Sequence, residues 1–192
     1  MKTLIKKNPV KVLFVYPNLQ LMQIVPPAIT SLSAFLKEFG IEVDLFDTTF
    51  YKMTEKSSDE KRINTCQVRP FSFADSNVTY VGINPKNDFL EKIEKFKPDI
   101  IAISATDFTH NISEKLIAGL KQSHPELFII MGGVYPTFFS DYAIKIPDLD
   151  AICIGEGYEA LLEICKAIEC RDRNKIKTIK NLCPCVSELY LE

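Results

Sequence analysis

The chain predicts an α/β protein: a parallel five-stranded sheet between two layers of helices. Two observations carry this. Short apolar runs of strand length alternate with segments whose apolar residues recur at helical spacing, the pattern of repeated β-α-β units. Most of the runs are apolar without interruption, as in strands buried on both faces. The 192 residues suffice for one domain with a real core, needing neither disulfides nor metal.

Residues 11–16 (KVLFVY) form the first strand. The period then changes over 28–39, where Ile29, Leu32, Leu36 and Phe39 mark a helix. Pro27 suits its first turn and Gly40 its C-terminal cap. EVDLF (42–46) is the second strand. From about 48 to 86 the periodicity dissolves around the charged run Lys56–Arg62. A stretch of that length without period is unusual inside a compact domain, and Phe50, Tyr51, Phe71, Phe73 and Tyr80 make it too aromatic for plain disorder. A helix follows at 87–96 (Phe89, Leu90, Ile93, Phe96) and a third strand at 99–104. Next come a helix at 112–123, a fourth strand at 127–131 and a fifth at 151–154. A last helix at 158–169 buries Leu161, Leu162, Cys165 and Ile168. With right-handed crossovers, five such strands give a three-layer flavodoxin-like arrangement, order 2-1-3-4-5. The expected domain is 10–170 with its insert at about 48–86. Residues 171–192, basic and then irregular, read as the start of a linker to a further domain.

Composition narrows the function. A quarter of the residues are charged, yet the net charge is only −2, so the clustered cations that neutralise phosphates are missing and nucleic acid is not the expected partner. No apolar stretch is long enough to span a bilayer. Lys6, Lys7 and Pro9 interrupt any signal-peptide h-region. A cytoplasmic protein is expected. The six cysteines show neither C-x-x-C nor C-x-x-x-C-x-x-C spacing, so they read as reduced thiols rather than as a zinc or iron–sulfur site.

The turns at the carboxyl ends of the strands are the informative part, because open parallel sheets bind ligands along that edge. They read Tyr16-Pro17-Asn18, Ser104-Ala105-Thr106, Gly132-Gly133 and Gly155-Glu156-Gly157. A phosphorylatable receiver would need an acidic pair directly after strand one, an acceptor Asp at the end of strand three and a Lys after strand five; those places read Tyr16-Pro17-Asn18, Ser104-Ala105-Thr106 and Gly155-Glu156-Gly157. The first turn also lacks a Ser/Thr/Gly-rich flavin phosphate loop and the G-x-G-x-x-G of dinucleotide binding. Glycines at 132 and 133 admit close backbone approach and positive φ. Ser104 and Thr106 offer small hydroxyls, which could equally cap the next helix. Gly155-Glu156-Gly157 brings free N–H groups to the start of the last helix, where anionic groups are welcome.

Taken in order and spacing, these turns resemble the N-terminal cobalamin-binding domain of cobalamin-dependent radical S-adenosylmethionine enzymes, over roughly residues 10–168. The other marks are Pro26-Pro27 opening the first helix, Leu45–Phe50 after strand two, Pro98–Ser104 around strand three, Pro136, and Tyr158-Glu159. The resemblance implies that cobalamin is held by Tyr16, Pro17, Asn18, Ile24, Pro26, Ser104, Ala105, Thr106, Gly132, Gly133, Tyr135, Gly155, Glu156 and Gly157. It also implies a C-terminal partner domain carrying an iron–sulfur cluster and S-adenosylmethionine, with methyl transfer or related radical chemistry, and no catalysis by this chain alone. One departure bears on the cobalt. Histidine-ligating cobalamin domains carry D-x-H-x-x-G after strand one, whereas the loop Pro17–Pro27 has no histidine; the two histidines are His110 and His124. The resemblance then implies base-off binding without a histidine ligand. Two other readings stay open: a stand-alone cobalamin carrier or sensor, and a cofactor-free interaction domain of the same fold.

Overall fold

The computed structural model describes residues 9–22, 26–52, 62–69, 75, 77–82 and 84–185. Among them, six strands form one sheet: β1 (Lys11–Tyr16), β2 (Glu42–Asp47), β3 (Ile100–Ser104), β4 (Phe128–Gly132), β5 (Ala151–Cys153) and β6 (Leu182–Pro184). The spatial order is β2-β1-β3-β4-β5-β6. The first five are parallel and stand in the expected order. The strand count is a correction: six rather than five. β6 runs antiparallel to β5, with Ala151 opposite Pro184 and Cys153 opposite Leu182. Three residues, one of them proline, show no periodicity to read, and an edge strand is where a proline is tolerated in a sheet. The sheet therefore extends past residue 170, into the segment expected to be irregular.

The helices that flank the sheet are α1 (Pro27–Glu38), α2 (Pro85–Phe96), α3 (His110–Ile117), α4 (Leu120–Ser123), α5 (Val134–Phe138), α6 (Ser140–Ala143) and α7 (Tyr158–Glu169). Pro27 and Pro85 occupy first-turn positions, where the missing N–H costs nothing. Asn84 caps α2 by accepting from the Lys86 N–H at 3.0 Å, which starts that helix two residues before the expected 87. The single helix expected over 112–123 is broken into α3 and α4. Gly119 stands between them at φ +76°, and its N–H donates to the Asp148 carboxylate at 2.6 Å. A 3₁₀ turn, Arg173–Thr178, leads from α7 to β6.

Strand alternation divides the core into two layers. Leu13 and Val15 of β1 pack with Phe89, Ile93, Leu116 and Leu120 from α2, α3 and α4. Val12 and Phe14 pack on the opposite face with Ile29, Leu36, Leu161 and Ile164 from α1 and α7. Each fully buried side chain of this size contributes roughly 1.5–3 kcal/mol. Leu13, Leu36, Phe89 and Ile164 are all 0% exposed.

The insert after β2 is tied at its base. Tyr51 and Gly82 form a parallel bridge, with Lys52 N–H donating to Gly82 O at 2.8 Å and Val81 N–H to Phe50 O at 2.9 Å. Its two ends therefore leave and rejoin the domain side by side. The charged run Lys56–Arg62, apart from Arg62, and the aromatics Phe71 and Phe73 lie outside the described residues. No helix among the described residues is long and apolar enough to cross a membrane.

Candidate functional site

A cavity of about 400 Å³ opens at the carboxyl edge of the sheet and runs down between the sheet and the α1/α7 layer. Its floor follows from strand register. Phe14, Ala102, Ile130 and Ala151 lie in one row across β1, β3, β4 and β5, and Ser104 faces Gly132 one step nearer the edge. On this face the strand ends carry Ala102, Ser104, Gly132 and Cys153. On the other face Ile103, Met131 and Ile152 fill the space against α2–α4. Small residues on one face only leave a slot on one side only. Leu32 of α1 and Leu161 of α7 form its roof, and the Gly155-Glu156-Gly157 turn borders its mouth. The size falls in the range of ligand pockets, roughly 300–1,000 Å³.

The two adjacent glycines after β4 have different reasons to be glycine. Gly133 adopts φ +99°, and a Cβ there would sit 2.7 Å from the Ala105 carbonyl oxygen. That close approach is to the backbone after β3. A Cβ on Gly132 would make ordinary contact, 3.7 Å from the Cys153 Cβ. Gly132 thus keeps the slot open, and Gly133 keeps β4 close to the end of β3. Thr137 joins the glycine turns: its hydroxyl donates to Gly133 O at 2.8 Å and accepts from Gly155 N–H at 3.1 Å.

Of the fourteen residues that the resemblance implies hold cobalamin, six line the slot: Ser104, Gly132, Gly133, Gly155, Glu156 and Gly157. The rest stand elsewhere. Asn18 is a buried clamp: its side-chain amide donates to Thr49 Oγ1 at 2.8 Å and its carbonyl oxygen accepts from Leu19 N–H at 2.9 Å. Its backbone N–H and C=O both pair with the Thr48 hydroxyl at 2.8 Å. The loop containing Pro17 is thereby locked to the turn after β2. Tyr16 ends β1 half-buried, its phenol raised by burial and by Asp47. Pro26 precedes α1, its carbonyl accepting from Thr30 N–H at 3.1 Å. Ala105 is buried beneath Gly133, and Tyr135 N–H donates to its oxygen at 3.0 Å. Thr106 builds the turn into α3: its N–H donates to Thr109 Oγ1 at 3.0 Å and its carbonyl accepts from His110 N–H at 3.0 Å. Tyr135 belongs to the α2–α4 face, stacked on His110 with centroids 4.2 Å apart. His110 Nδ1 also lies 2.7 Å from the Asp107 carbonyl oxygen. Ile24 lies outside the described residues.

Electrostatically the slot is quiet. Burial and then Glu156 push the Cys153 thiol up, so it stays protonated; its Sγ lies 3.8 Å from the Glu156 carbonyl oxygen. At the mouth, α7 begins at Gly157 without a side-chain cap, leaving backbone N–H groups at its N-terminus. Among the described residues no cluster of His, Cys, Asp and Glu could hold a metal ion. Glycines mark the mouth in the sequence, whereas nothing as plain marks the walls, Phe14, Leu32, Ala102, Ile130, Cys153 and Leu161. A signal was present in the alternation of Ala102 and Ser104 with Ile101 and Ile103, small residues on one face of a strand and large ones on the other.

Known proteins resemble this chain in sequence and in fold. Anaerobic magnesium-protoporphyrin IX monomethyl ester cyclases are similar: that of Rubrivivax gelatinosus is 30% identical over 99 residues, covering 49% of this chain and 18% of the cyclase. That of Synechocystis is 32% identical over 97 residues, covering 48% and 19%. The chain thus spans less than a fifth of the length of these curated relatives. Among solved structures, the cobalamin-dependent S-adenosylmethionine radical enzyme OxsB with aqua-cobalamin bound aligns at TM-score 0.58 and 20% identity, over 86% of this chain and 19% of OxsB. The radical S-adenosylmethionine methyltransferase TsrM from Kitasatospora setae, with cobalamin and a [4Fe-4S] cluster bound, aligns at TM-score 0.57 and 17% identity, over 83% and 24%. At such identities the structural likeness speaks for the fold. A family profile, B12 binding domain, matches residues 69–165, just over half of the chain, and its span contains β3, β4, β5 and every glycine of the slot's mouth. The chain belongs to the B12-binding domain family.

Proposed function

We propose that the chain binds cobalamin base-off. The nucleotide tail enters the slot between the sheet and α1/α7, the corrin rests on the carboxyl edge, and no protein nitrogen reaches the cobalt. The observation that carries this reading is the slot itself, cut into one face by Ala102, Ser104 and Gly132. At about 400 Å³ it suits a base and sugar better than a whole tetrapyrrole. Gly132 admits the tail past the edge, Ser104 offers a hydroxyl beside it, and the uncapped N-terminus of α7 offers N–H groups to its anionic phosphate. The absence of histidine from Pro17–Pro27 supports an open lower face. So does the position of His110, whose ring is stacked on Tyr135.

Cobalamin, when bound, supplies a cobalt centre able to carry a methyl group. The chain is, on this reading, the cobalamin-binding part of a radical S-adenosylmethionine enzyme, with the iron–sulfur cluster and S-adenosylmethionine held by a C-terminal partner domain. The short share of its cyclase relatives that it matches supports this, and thiols without disulfide spacing support a cytoplasmic setting. The test is to mix the chain with hydroxocobalamin, desalt it, and record electron paramagnetic resonance of the Co(II) form. Retained corrinoid without protein-nitrogen superhyperfine splitting is expected. A colourless protein fraction refutes the binding, and a splitting lost in His110→Ala refutes the assignment of the cobalt.

A further inference from the structure

The slot has a chemical gradient along its length. Its polar side chains stand at or near the mouth: Ser31, Ser104, Glu156, the phenol of Tyr158 and the protonated thiol of Cys153. Two residues further down each strand the walls are entirely apolar, made by Phe14, Ile29, Leu32, Ala102, Ile130 and Leu161. The strand backbone there is already paired within the parallel ladder. None of these six side chains carries a nitrogen or oxygen, so the inner wall offers a ligand no side-chain hydrogen bond.

We infer that this inner end selects corrinoids by their lower base, accepting an apolar fused ring such as dimethylbenzimidazole and rejecting adenine. The inference rests on the reading that the nucleotide tail enters the slot. Both bases bring one ring nitrogen freed from cobalt. Adenine adds an exocyclic amino donor and further ring-nitrogen acceptors, whereas dimethylbenzimidazole adds a benzene ring and two methyl groups. Buried against Phe14, Ile130 and Leu161, the extra polar groups of adenine lose water and gain no partner. A site without matching polar groups discriminates by this unpaid desolvation alone.

The test is equilibrium binding of the full chain to three corrinoids: cobalamin, the analogue with adenine as lower base, and cobinamide, which has no nucleotide tail. Cobalamin is expected to bind about tenfold or more tightly than the adenine analogue, one unsatisfied buried polar group being enough for that. Cobalamin and cobinamide binding equally would show that the tail is not used, overturning the proposed binding mode and this inference with it. Cobalamin binding better than cobinamide, but no better than the adenine analogue, would overturn the selection alone. Leu32→Gln, on the half-buried side of α1, places an amide in the wall and should narrow the preference. A preference unchanged in that variant would show that the lining does not set it.

Discussion

Replacing Gly132 and Gly133 one at a time separates a glycine needed by the fold from one needed by the slot. Gly133→Ala forces a side chain onto φ +99° and sets its Cβ 2.7 Å from the Ala105 carbonyl oxygen. A backbone region reserved for glycine costs roughly 1–3 kcal/mol, and overpacking about as much again. A loss of about 2–6 kcal/mol is a large share of the 5–15 kcal/mol that holds a typical domain. Gly132→Val behaves oppositely. Its Cβ meets only the Cys153 Cβ at 3.7 Å, and a β-branched residue suits a strand position, so the fold should keep its stability or gain up to about 1 kcal/mol. Its methyl groups, however, project where the ligand would pass. An overlap of 1–3 kcal/mol weakens hydroxocobalamin binding roughly 5- to 150-fold. Urea unfolding followed by circular dichroism reads the first effect, and spectrophotometric titration with hydroxocobalamin reads the second. Wild-type stability in Gly133→Ala refutes the packing argument. A folded Gly132→Val protein with wild-type affinity refutes the assignment of the slot.

Three further predictions concern the loops around the edge. Thr48→Val strips the hydroxyl that pairs with both backbone groups of Asn18, leaving two buried polar groups unmet; a loss of about 1–3 kcal/mol is expected in urea melts, and a neutral result contradicts the clamp. The Tyr51 phenol, pushed up to about 12 by burial and then by its hydrogen bond to Asp88, lies above the unfolded value near 10. Its contribution to stability is whole below pH 10 and is lost as the pH rises toward 12; Tyr51→Phe should flatten that slope, and a slope identical to wild type removes Tyr51 as its source. The Lys52 and Val81 amides, bonded across the base of the insert, should resist hydrogen exchange; exchange as fast as in a free loop contradicts the tie at that base.

The parallel sheet is legible because β1, β3, β4 and β5 are buried on both faces and carry apolar runs too short for a helix. β6 is not, since its pairing is decided by the edge of β5 rather than by any pattern in Leu182-Cys183-Pro184. Gly119 was passed over because the apolar period runs on through it, although the backbone there turns left-handed. In the site, glycines were visible as punctuation, but their separate duties were not, because a steric conflict with Ala105 depends on how β3 and β4 sit together. Asn18, Thr106 and Tyr135 illustrate the same limit. Polar and aromatic residues at a ligand-binding edge serve equally to tie loops, and only their partners tell which task they perform.

The sixth strand belongs to the same sheet as the other five. The family match stops at residue 165 and the last long helix at Glu169, so either would be a natural place to cut a fragment. Such a fragment would leave the edge of β5 bare. That strand is short, buried and wholly apolar, and its unpaired amides and carbonyls would offer a template to any neighbouring chain. β6 prevents this with three residues, and its proline cannot donate a backbone hydrogen bond. Residues 171–185 thus act as a selvedge on that side of the sheet, a finished border laid over the β5 edge.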